Sequence, residues 1–188
     1  MSISISDELK LIAKGEILSD NWSREIYSVD ASHYAIKPSV AVCPLDKHDV
    51  ERICKYPFSA NVPITARGAG TGLLGLSLSN SIVMDFTKHM NKIMEIGEDY
   101  VEVQPGAVKG ILDRELKKRG KFLPPDPSSS NYCTIGGMIA NNSSGAHCYA
   151  ATRIKKIKYM SVNFSRVYCS ACALYPILLR HIYRPRGI

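Results

Sequence analysis

Arg67-Gly68-Ala69-Gly70-Thr71-Gly72-Leu73-Leu74-Gly75 is the stretch that decides the fold, and it directly follows an extended apolar run, residues 62–66. Glycines at this density leave backbone N–H groups uncovered, so a phosphate can approach the main chain without meeting a Cβ atom. Arg67 adds a fixed positive charge at the mouth of the loop. The loop therefore predicts a site for a phosphorylated cofactor. A glycine-rich turn without a ligand is the alternative.

Residues 70–75 match the letters of the dinucleotide fingerprint G-x-G-x-x-G but lack its context. That fingerprint lies between a strand and a helix of a βαβ unit, with an acidic residue about 20 positions later. Here the next extended run starts at Ser81, and residues 76–80 cannot hold a helix. A parallel crossover needs about a dozen residues. Asp85 comes too soon for a ribose carboxylate, and no Gly-Lys-Ser/Thr follows for a P-loop. The pattern predicts strand, glycine loop, strand.

A second glycine site begins at Thr134, after the proline-rich stretch 123–133. The prolines disfavour helix and fix extended geometry. Thr134 is a suitable N-cap for a short helix that reaches Asn142. Gly136 and Gly137 would then lie in the first turn, where amides are unpaired and the helix dipole favours an anion. A capped helix without a ligand is the alternative interpretation.

The two sites together resemble a known family. An R-G-x-G-T loop followed by P-P-D-P-x-S…C-T-I-G-G-x-x-A-x-N-x-x-G is similar to the FAD-binding domain of the vanillyl-alcohol oxidase (PCMH) type. The likeness covers roughly residues 37–165 and is nearest to FAD-linked oxidases of the glycolate oxidase flavin subunit and D-lactate dehydrogenase kind. It implies an α+β fold of two α+β subdomains, of which the second is incomplete.

The resemblance implies that the first loop wraps the FAD pyrophosphate and that the second region lines the rest of the cofactor. Some relatives attach FAD covalently through a histidine in the first loop. Thr71 occupies that slot here, so non-covalent FAD is predicted. The predicted cofactor-binding residues are Arg67, Gly68, Ala69, Gly70, Thr71, Gly72, Gly75, Pro125, Asp126, Thr134, Gly136, Gly137, Asn142, Gly145 and Tyr149.

The element that starts at Tyr149 resembles the family's Y-G-x-T-R-D, with two departures. Ala150 stands where glycine is usual, and Ile154 where aspartate is usual. Both substitutions put the local geometry of this element in question.

The resemblance further implies an FAD-dependent oxidoreductase that transfers a hydride from a 2-hydroxy acid to the flavin, with an electron-acceptor protein as a further partner. Residues that recognise the substrate lie mainly in a downstream cap domain in such enzymes, so no catalytic residue is nominated. His147 is the histidine nearest the second glycine site. A catalytically inactive FAD-binding remnant is one alternative function, and a basic nucleic-acid-binding protein is another.

Composition narrows the class of protein. The 188 residues suit one or two domains with a real core, and no apolar run is long enough to span a membrane. The N-terminus lacks the basic and apolar regions of a signal peptide, which predicts a cytoplasmic protein without an integral membrane segment. The six cysteines follow no disulfide rhythm, so free thiols are expected. Cys169 and Cys172 lack a second pair for zinc, and no metal is predicted.

Charge is distributed unevenly along the chain. The net charge is +7, yet all 17 acidic residues precede Pro127. A basic tail favours nucleic acid or an anionic surface, whereas an FAD site also needs some positive field. The family likeness stops at Ser165, so we interpret the tail as out of frame or truncated. The predicted divisions are an N-terminal helical segment (1–36), a first FAD-binding subdomain (37–97), a partial second one (98–165) and the atypical tail (166–188).

Periodicity supplies a coarse map of helices and strands. The segment around Trp22 and Tyr27 is expected to be irregular. Helices are predicted near 7–15, after Asp46, from 108 to 119 and from 134 to 142, and strands at 39–44, 62–67, 81–87, 92–96, 100–104 and 157–164.

Overall fold

The protein is described by a computed structural model that covers residues 4–55 and 62–145, together with the backbone of 157–158 and 177–180. The helices of this described part are α1 (Ile5–Ile12), α2 (Asn21–Ile26), α3 (Lys47–Lys55), α4 (Lys109–Lys117) and α5 (Ile135–Ala140). Its strands are β1 (Glu16–Leu18), β2 (Val40–Cys43), β3 (Ile64–Arg67), β4 (Ile82–Asp85), β5 (Ile93–Ile96), β6 (Tyr100–Val103), β7 (Ile157–Lys158) and β8 (Ile177–Arg180).

Most of the predicted elements are confirmed within these residues, and the fold is α+β. Three elements are additions: β1, α2 and β8. The prediction of an irregular segment around Trp22 is wrong, because the Asp20 carboxylate accepts a hydrogen bond from the Ser23 N–H and caps α2. Within the described residues, no helix combines the length and the apolar character that crossing a membrane requires.

The first sheet has the strand order β1-β2-β4-β3. Its central strands β2 and β4 are buried at every position, which explains why their sequences are apolar runs rather than alternating patterns. The apolar faces of α1 and α3 cover this sheet through Leu9, Val50 and Ile53, all fully buried in the same core. The sheet thereby provides a rigid base for the loop that follows β3.

The pairing of β3 with β4 is parallel, with Ile64 opposite Ile82 and Arg67 opposite Asp85. The prediction that no helix lies between these strands is confirmed, but the prediction that a parallel connection does not fit between them is wrong. Residues 76–80 are only part of the connection, because the whole of it, 68–81, runs from the end of one strand to the start of the next. The glycine loop is thus itself the crossover, which carries the chain back to the other end of the sheet.

The N-terminal segment is fixed to this sheet by one buried carboxylate. Asp49 on α3 is fully buried and accepts hydrogen bonds from the N–H groups of Lys14 (2.8 Å), Gly15 (2.7 Å) and Leu45 (3.0 Å). Arg52 Nη2 lies 2.8 Å from the same carboxylate. Since Arg52 Nε also donates to the Ile12 carbonyl at 2.9 Å, the turn between α1 and β1 is held by Asp49 and Arg52 of α3.

The second sheet has the order β5-β6-β8-β7, and all its pairings are antiparallel. Strand β6 alternates as a half-buried strand should, with Val101 and Val103 facing a separate core beneath α4 and α5. The backbone of β8 lies inside the segment that the sequence sets apart as an atypical tail, and it pairs with β6.

The strands of each sheet come from more than one of the predicted divisions of the chain. β1, from the segment 1–36, forms an edge of the first sheet, and β5, from the segment 37–97, belongs to the second sheet. The division of the chain at 36, 97 and 165 stays a prediction. The remainder of the predicted strand 157–164, beyond β7, lies outside the described residues.

Candidate functional site

A cleft of about 660 Å³ separates the open edge of the first sheet from α5, and both predicted glycine regions contribute to it. Its walls come from β3, from the glycine loop and from the segment around α5. The lining residues are Val62, Pro63, Ile64, Thr65, Ala66, Gly68, Ala69, Gly70, Thr71, Gly72, Leu76, Ser77, Ser129, Cys133, Thr134, Gly137, Met138, Ala140, Asn141 and Ser143.

Direct contact between Gly68 and Thr134 joins the two glycine regions. A Cβ atom built on Gly68 would lie 2.2 Å from Thr134 Oγ1, a distance that real side chains do not adopt. The same Oγ1 accepts a hydrogen bond from the Gly137 N–H at 3.2 Å and caps α5. The absence of a side chain at Gly68 therefore lets the first loop approach the helix cap of the second region.

The glycine loop offers uncovered amides to this cleft. Within the described residues, no acceptor takes a hydrogen bond from the backbone N–H groups of Ala69, Gly70, Thr71 and Gly72. Gly70 adopts a φ of +67°, which only glycine adopts at little cost. A run of unpaired amides in a turn of this kind is a binding concavity for an anion.

The first turn of α5 does not offer such amides, which corrects the sequence-based expectation. The N–H groups of Ile135 and Gly136 donate to the carbonyls of Ala107 and Pro105, both at 2.8 Å, and the Gly137 N–H donates to its cap. The cause is tertiary, because the turn and bridge residues that lead into α4, 105–109, run beside 133–136 and pair with them. The anion-binding donors thus come from the first loop, and α5 supplies a wall.

The structure also corrects the role that the sequence suggests for Arg67. Its guanidinium does not line the cleft and instead donates to the Val29 carbonyl at 2.8 Å and the Tyr27 carbonyl at 3.5 Å. It also lies over the Tyr27 ring, 5.5 Å from the ring centroid. The positive charge is therefore directed at the N-terminal segment, behind the loop, rather than at the mouth of the cleft.

Several predicted site residues shape the backbone around the cleft without lining it. Gly136 packs against Pro105, whose carbonyl oxygen would lie 2.8 Å from a Cβ at that position. Asn142 adopts a φ of 47° directly after α5, and the bonds from Asn142 and Ser143 back to Ile139 and Met138 complete a Schellman motif. These residues set where α5 starts and ends.

The remaining predicted residues lie close to the cleft or outside the described residues. Gly145 packs against the backbone of Asp126, whose carbonyl oxygen would lie only 1.6 Å from a Cβ there. Pro125 is buried, and Gly75 adopts a φ of +69° beside Tyr34. Tyr149 and His147 lie outside the described residues, as do Cys169 and Cys172.

Apart from Thr65 of β3, four polar residues of the lining are missing from the sequence prediction: Ser77, Ser129, Asn141 and Ser143. Each lies within one of the stretches that carry the glycine and proline motifs, next to or near a predicted residue. The signal that could have identified them is therefore their closeness in sequence to predicted residues. What selects these four from their neighbours is their position at the cleft, which depends on tertiary packing.

The lining carries no ionised side chain among the described residues. Burial raises the pKa of the Cys133 thiol, so this cysteine is protonated at neutral pH and is a poor nucleophile. Backbone amides and hydroxyl groups therefore provide the polar contacts of the cleft. Cys43 and Cys133 are free and buried, which confirms the expectation of free thiols for these two cysteines.

The described residues fit a phosphorylated cofactor. Unpaired amides, glycines without Cβ atoms and a cleft within the usual range of about 300–1,000 Å³ for ligand sites provide the anion cradle and the space. The apolar run 62–66 and Met138 supply surfaces against which a ring system can pack. The arrangement can bind and orient a cofactor but holds no acid–base pair of its own.

Comparison with known proteins identifies a family for most of the chain. Residues 38–162 match the family described as an FAD binding domain. The chain is 42% identical to the D-2-hydroxyglutarate dehydrogenase of Pseudomonas putida over 156 residues, which are 79% of this chain and 16% of the relative. It is 37% identical to glycolate oxidase subunit GlcD of Bacillus subtilis over 75% of this chain and 31% of that subunit. The chain thus spans less than a third of each relative.

Solved structures share the fold at lower identity. An alkyldihydroxyacetonephosphate synthase superposes with a TM-score of 0.74 at 20% identity, over 96% of this chain and 40% of that chain. A cholesterol oxidase from Brevibacterium sterolicum superposes with a TM-score of 0.56 at 24% identity, over 63% of this chain and 24% of that chain.

Proposed function

This chain belongs to the FAD binding domain family, and from that premise we propose that it is the FAD-binding part of a flavin-dependent oxidoreductase that oxidises a 2-hydroxy acid. The observation that carries the proposal is the row of unpaired amides from Ala69 to Gly72 at the wall of the cleft. FAD, when bound, supplies the hydride acceptor, and the protein positions it.

The residues of this chain then have distinct roles. The amides from Ala69 to Gly72 bind the pyrophosphate oxygens, with no Cβ atom at Gly70 or Gly72 to keep the phosphates away. Ser77, Ser129 and Asn141 supply hydroxyl and amide groups for the rest of the cofactor. Gly75, Pro125, Asp126, Gly136, Asn142 and Gly145 maintain the backbone that these residues depend on.

The substrate class is proposed from the names of two relatives, a D-2-hydroxyglutarate dehydrogenase and a glycolate oxidase subunit. Both names contain a 2-hydroxy acid, which places a hydroxyl group next to a carboxylate. No described residue of the cleft is charged, so the carboxylate of such a substrate would find its cation elsewhere in the protein. An electron-acceptor protein that reoxidises the flavin is part of the same proposal.

The test is the flavin spectrum of the purified protein. We expect absorbance bands of bound flavin that bleach under anaerobic conditions when glycolate, D-lactate or D-2-hydroxyglutarate is added. Release of the flavin into the supernatant after acid precipitation would support non-covalent attachment, in line with Thr71. A colourless protein that takes up no added FAD contradicts the cofactor proposal, and flavin that no 2-hydroxy acid bleaches contradicts the substrate class for this chain.

A further inference from the structure

We propose that residues 27–32, which we call the strap, hold the glycine loop in the shape that binds the FAD pyrophosphate, with Asp30 and Arg67 as positioning residues. This inference rests on the proposed function. The strap precedes the first FAD-binding motif by more than thirty positions in sequence, yet it lies against the outer side of the loop. Neither Asp30 nor Arg67 lines the cleft.

Hydrogen bonds tie the strap to the loop at three separate points. The Ala31 N–H donates to the Gly70 carbonyl at 2.9 Å, in the middle of the run of unpaired amides. The Ser77 hydroxyl donates to Asp30 Oδ2 at 2.8 Å, after the loop has turned. Arg67 Nη2 donates to the Val29 carbonyl at 2.8 Å, where the loop begins. The loop is therefore fixed at its start, its middle and its end.

The bond from Ala31 fixes the orientation of the peptide that carries the Gly70 carbonyl. A bond that holds the Gly70 carbonyl towards Ala31 fixes the plane of the Gly70–Thr71 peptide, so the Thr71 N–H in that plane points away from the strap. Asp30 is itself fixed, because its Oδ1 accepts the Ser32 N–H at 2.8 Å. Asp30 and Arg67 thus act on the pyrophosphate through the shape of the loop.

The direction in which Asp30→Ala changes FAD affinity tests the proposal. Simple electrostatics predicts that removing a carboxylate near an anion site strengthens binding of the anion. The strap predicts the opposite, because Asp30→Ala removes the bonds to Ser77 and Ser32. We expect Asp30→Ala to weaken FAD affinity about tenfold, the effect of losing one charge-assisted hydrogen bond. Asp30→Asn keeps an oxygen for the Ser32 N–H, and its NH2 group can donate to the Ser77 hydroxyl, so we expect it to retain most of the affinity.

FAD titration of the full chain, followed by flavin fluorescence, measures these affinities, with Asp99→Ala as the control. Asp99 is an exposed carboxylate in the turn between β5 and β6, outside the cleft. Ser77→Ala removes one of the strap bonds with a smaller change. Because Ser77 also lines the cleft, it replaces Asp30→Ala only in the FAD-independent trypsin assay below, if thermal unfolding shows Asp30→Ala to be unfolded. Tighter FAD binding by Asp30→Ala, or equal shifts for Asp30→Ala and Asp30→Asn, would overturn the proposal.

A second readout works without FAD and separates this proposal from the proposed function. Trypsin cleaves after arginine, so the rate of cleavage after Arg67 reports how firmly the loop is held. We expect Asp30→Ala to be cut several-fold faster there than the wild type, with Asp30→Asn and Asp99→Ala unchanged. An unchanged rate for Asp30→Ala contradicts the strap even if the wild type binds FAD. Absence of FAD binding by the wild type contradicts only the proposed function.

Discussion

At the level of single residues, two glycines with a similar positive φ allow an effect on FAD binding to be distinguished from an effect on folding. Gly70 and Gly120 have φ values of 67° and 63°, but only Gly70 lines the cleft. Substitution of either glycine by alanine would lower the free energy of unfolding by on the order of 1 kcal/mol. The difference in FAD affinity between the two alanine variants therefore isolates the contribution of the loop to FAD binding.

We predict that Gly70→Ala lowers FAD affinity at least tenfold, because it distorts the loop and places a Cβ atom 2.9 Å from Arg67 Nη2. Gly120→Ala meets no atom within 4 Å and is expected to bind FAD as the wild type does. Isothermal titration of both variants with FAD, alongside their thermal unfolding, provides the comparison. Equal affinities would contradict the placement of the cofactor at this loop.

The contact between Gly68 and Thr134 predicts energetic coupling between the two glycine regions. Gly68→Ala should cost about 1–3 kcal/mol because the new methyl group displaces the capping hydroxyl. Thr134→Ala should cost about 1 kcal/mol through loss of the cap. The double variant should cost less than the sum, since the smaller residue 134 makes room for the methyl group. Urea unfolding of the four proteins measures the coupling, and strict additivity would contradict it.

At the level of whole elements, α5 shows why two neighbouring glycines in one motif have different tasks. Gly136 lies against Pro105, where a Cβ atom would be 2.8 Å from the carbonyl oxygen and 2.9 Å from the proline Cβ. Gly137 faces the cleft, and its nearest atom would be Thr134 Oγ1 at 3.1 Å. One glycine permits close packing of the helix on the segment 105–109, and the other keeps the cleft wide.

We therefore predict that Gly136→Ala mainly lowers stability, whereas Gly137→Ala mainly weakens FAD binding. Gly136→Ala should lower the free energy of unfolding by about 1–3 kcal/mol, because backbone atoms cannot move aside as a flexible side chain can. Gly137→Ala should change stability by less than about 1 kcal/mol and weaken FAD binding by narrowing the cleft. Chemical denaturation and FAD titration distinguish the profiles. A tolerated Gly136→Ala would contradict the packing of α5 on Pro105.

For the whole molecule, the attachment of the N-terminal segment depends on the ionised form of Asp49. Burial acts to raise the pKa of Asp49, but the N–H groups of Leu45, Lys14 and Gly15 and the Arg52 guanidinium outweigh it, so the pKa lies below its usual value. A carboxyl group with a lowered pKa stabilises the fold above its unfolded pKa of about 3.9. That stabilisation is lost as the pH falls through the folded pKa.

Asp49→Asn should accordingly lower the free energy of unfolding by about 2–4 kcal/mol at pH 7, because amide hydrogens then face backbone N–H donors. The loss should be smaller at pH 3, because below the unfolded pKa the unfolded chain binds a proton at Asp49 more readily than the folded chain does, which reduces the stability of the wild type. Urea midpoints at both pH values measure the difference, with the exposed Asp99→Asn as a control that is expected to stay near the wild type. A pH-independent difference would contradict the role of ionised Asp49.

The sequence by itself determined the chemistry of this protein: two glycine motifs at a fixed spacing, the strands and helices of strong periodicity, and the α+β class. These follow from local properties, since a missing Cβ, a proline ring or a threonine cap acts within a few residues. The tertiary structure alone decided which amides stay free. Pairing of 105–109 with 133–136 uses the first-turn amides of α5, and the strap turns Arg67 away from the cleft. Both depend on residues distant in sequence, whose pairing no local pattern records.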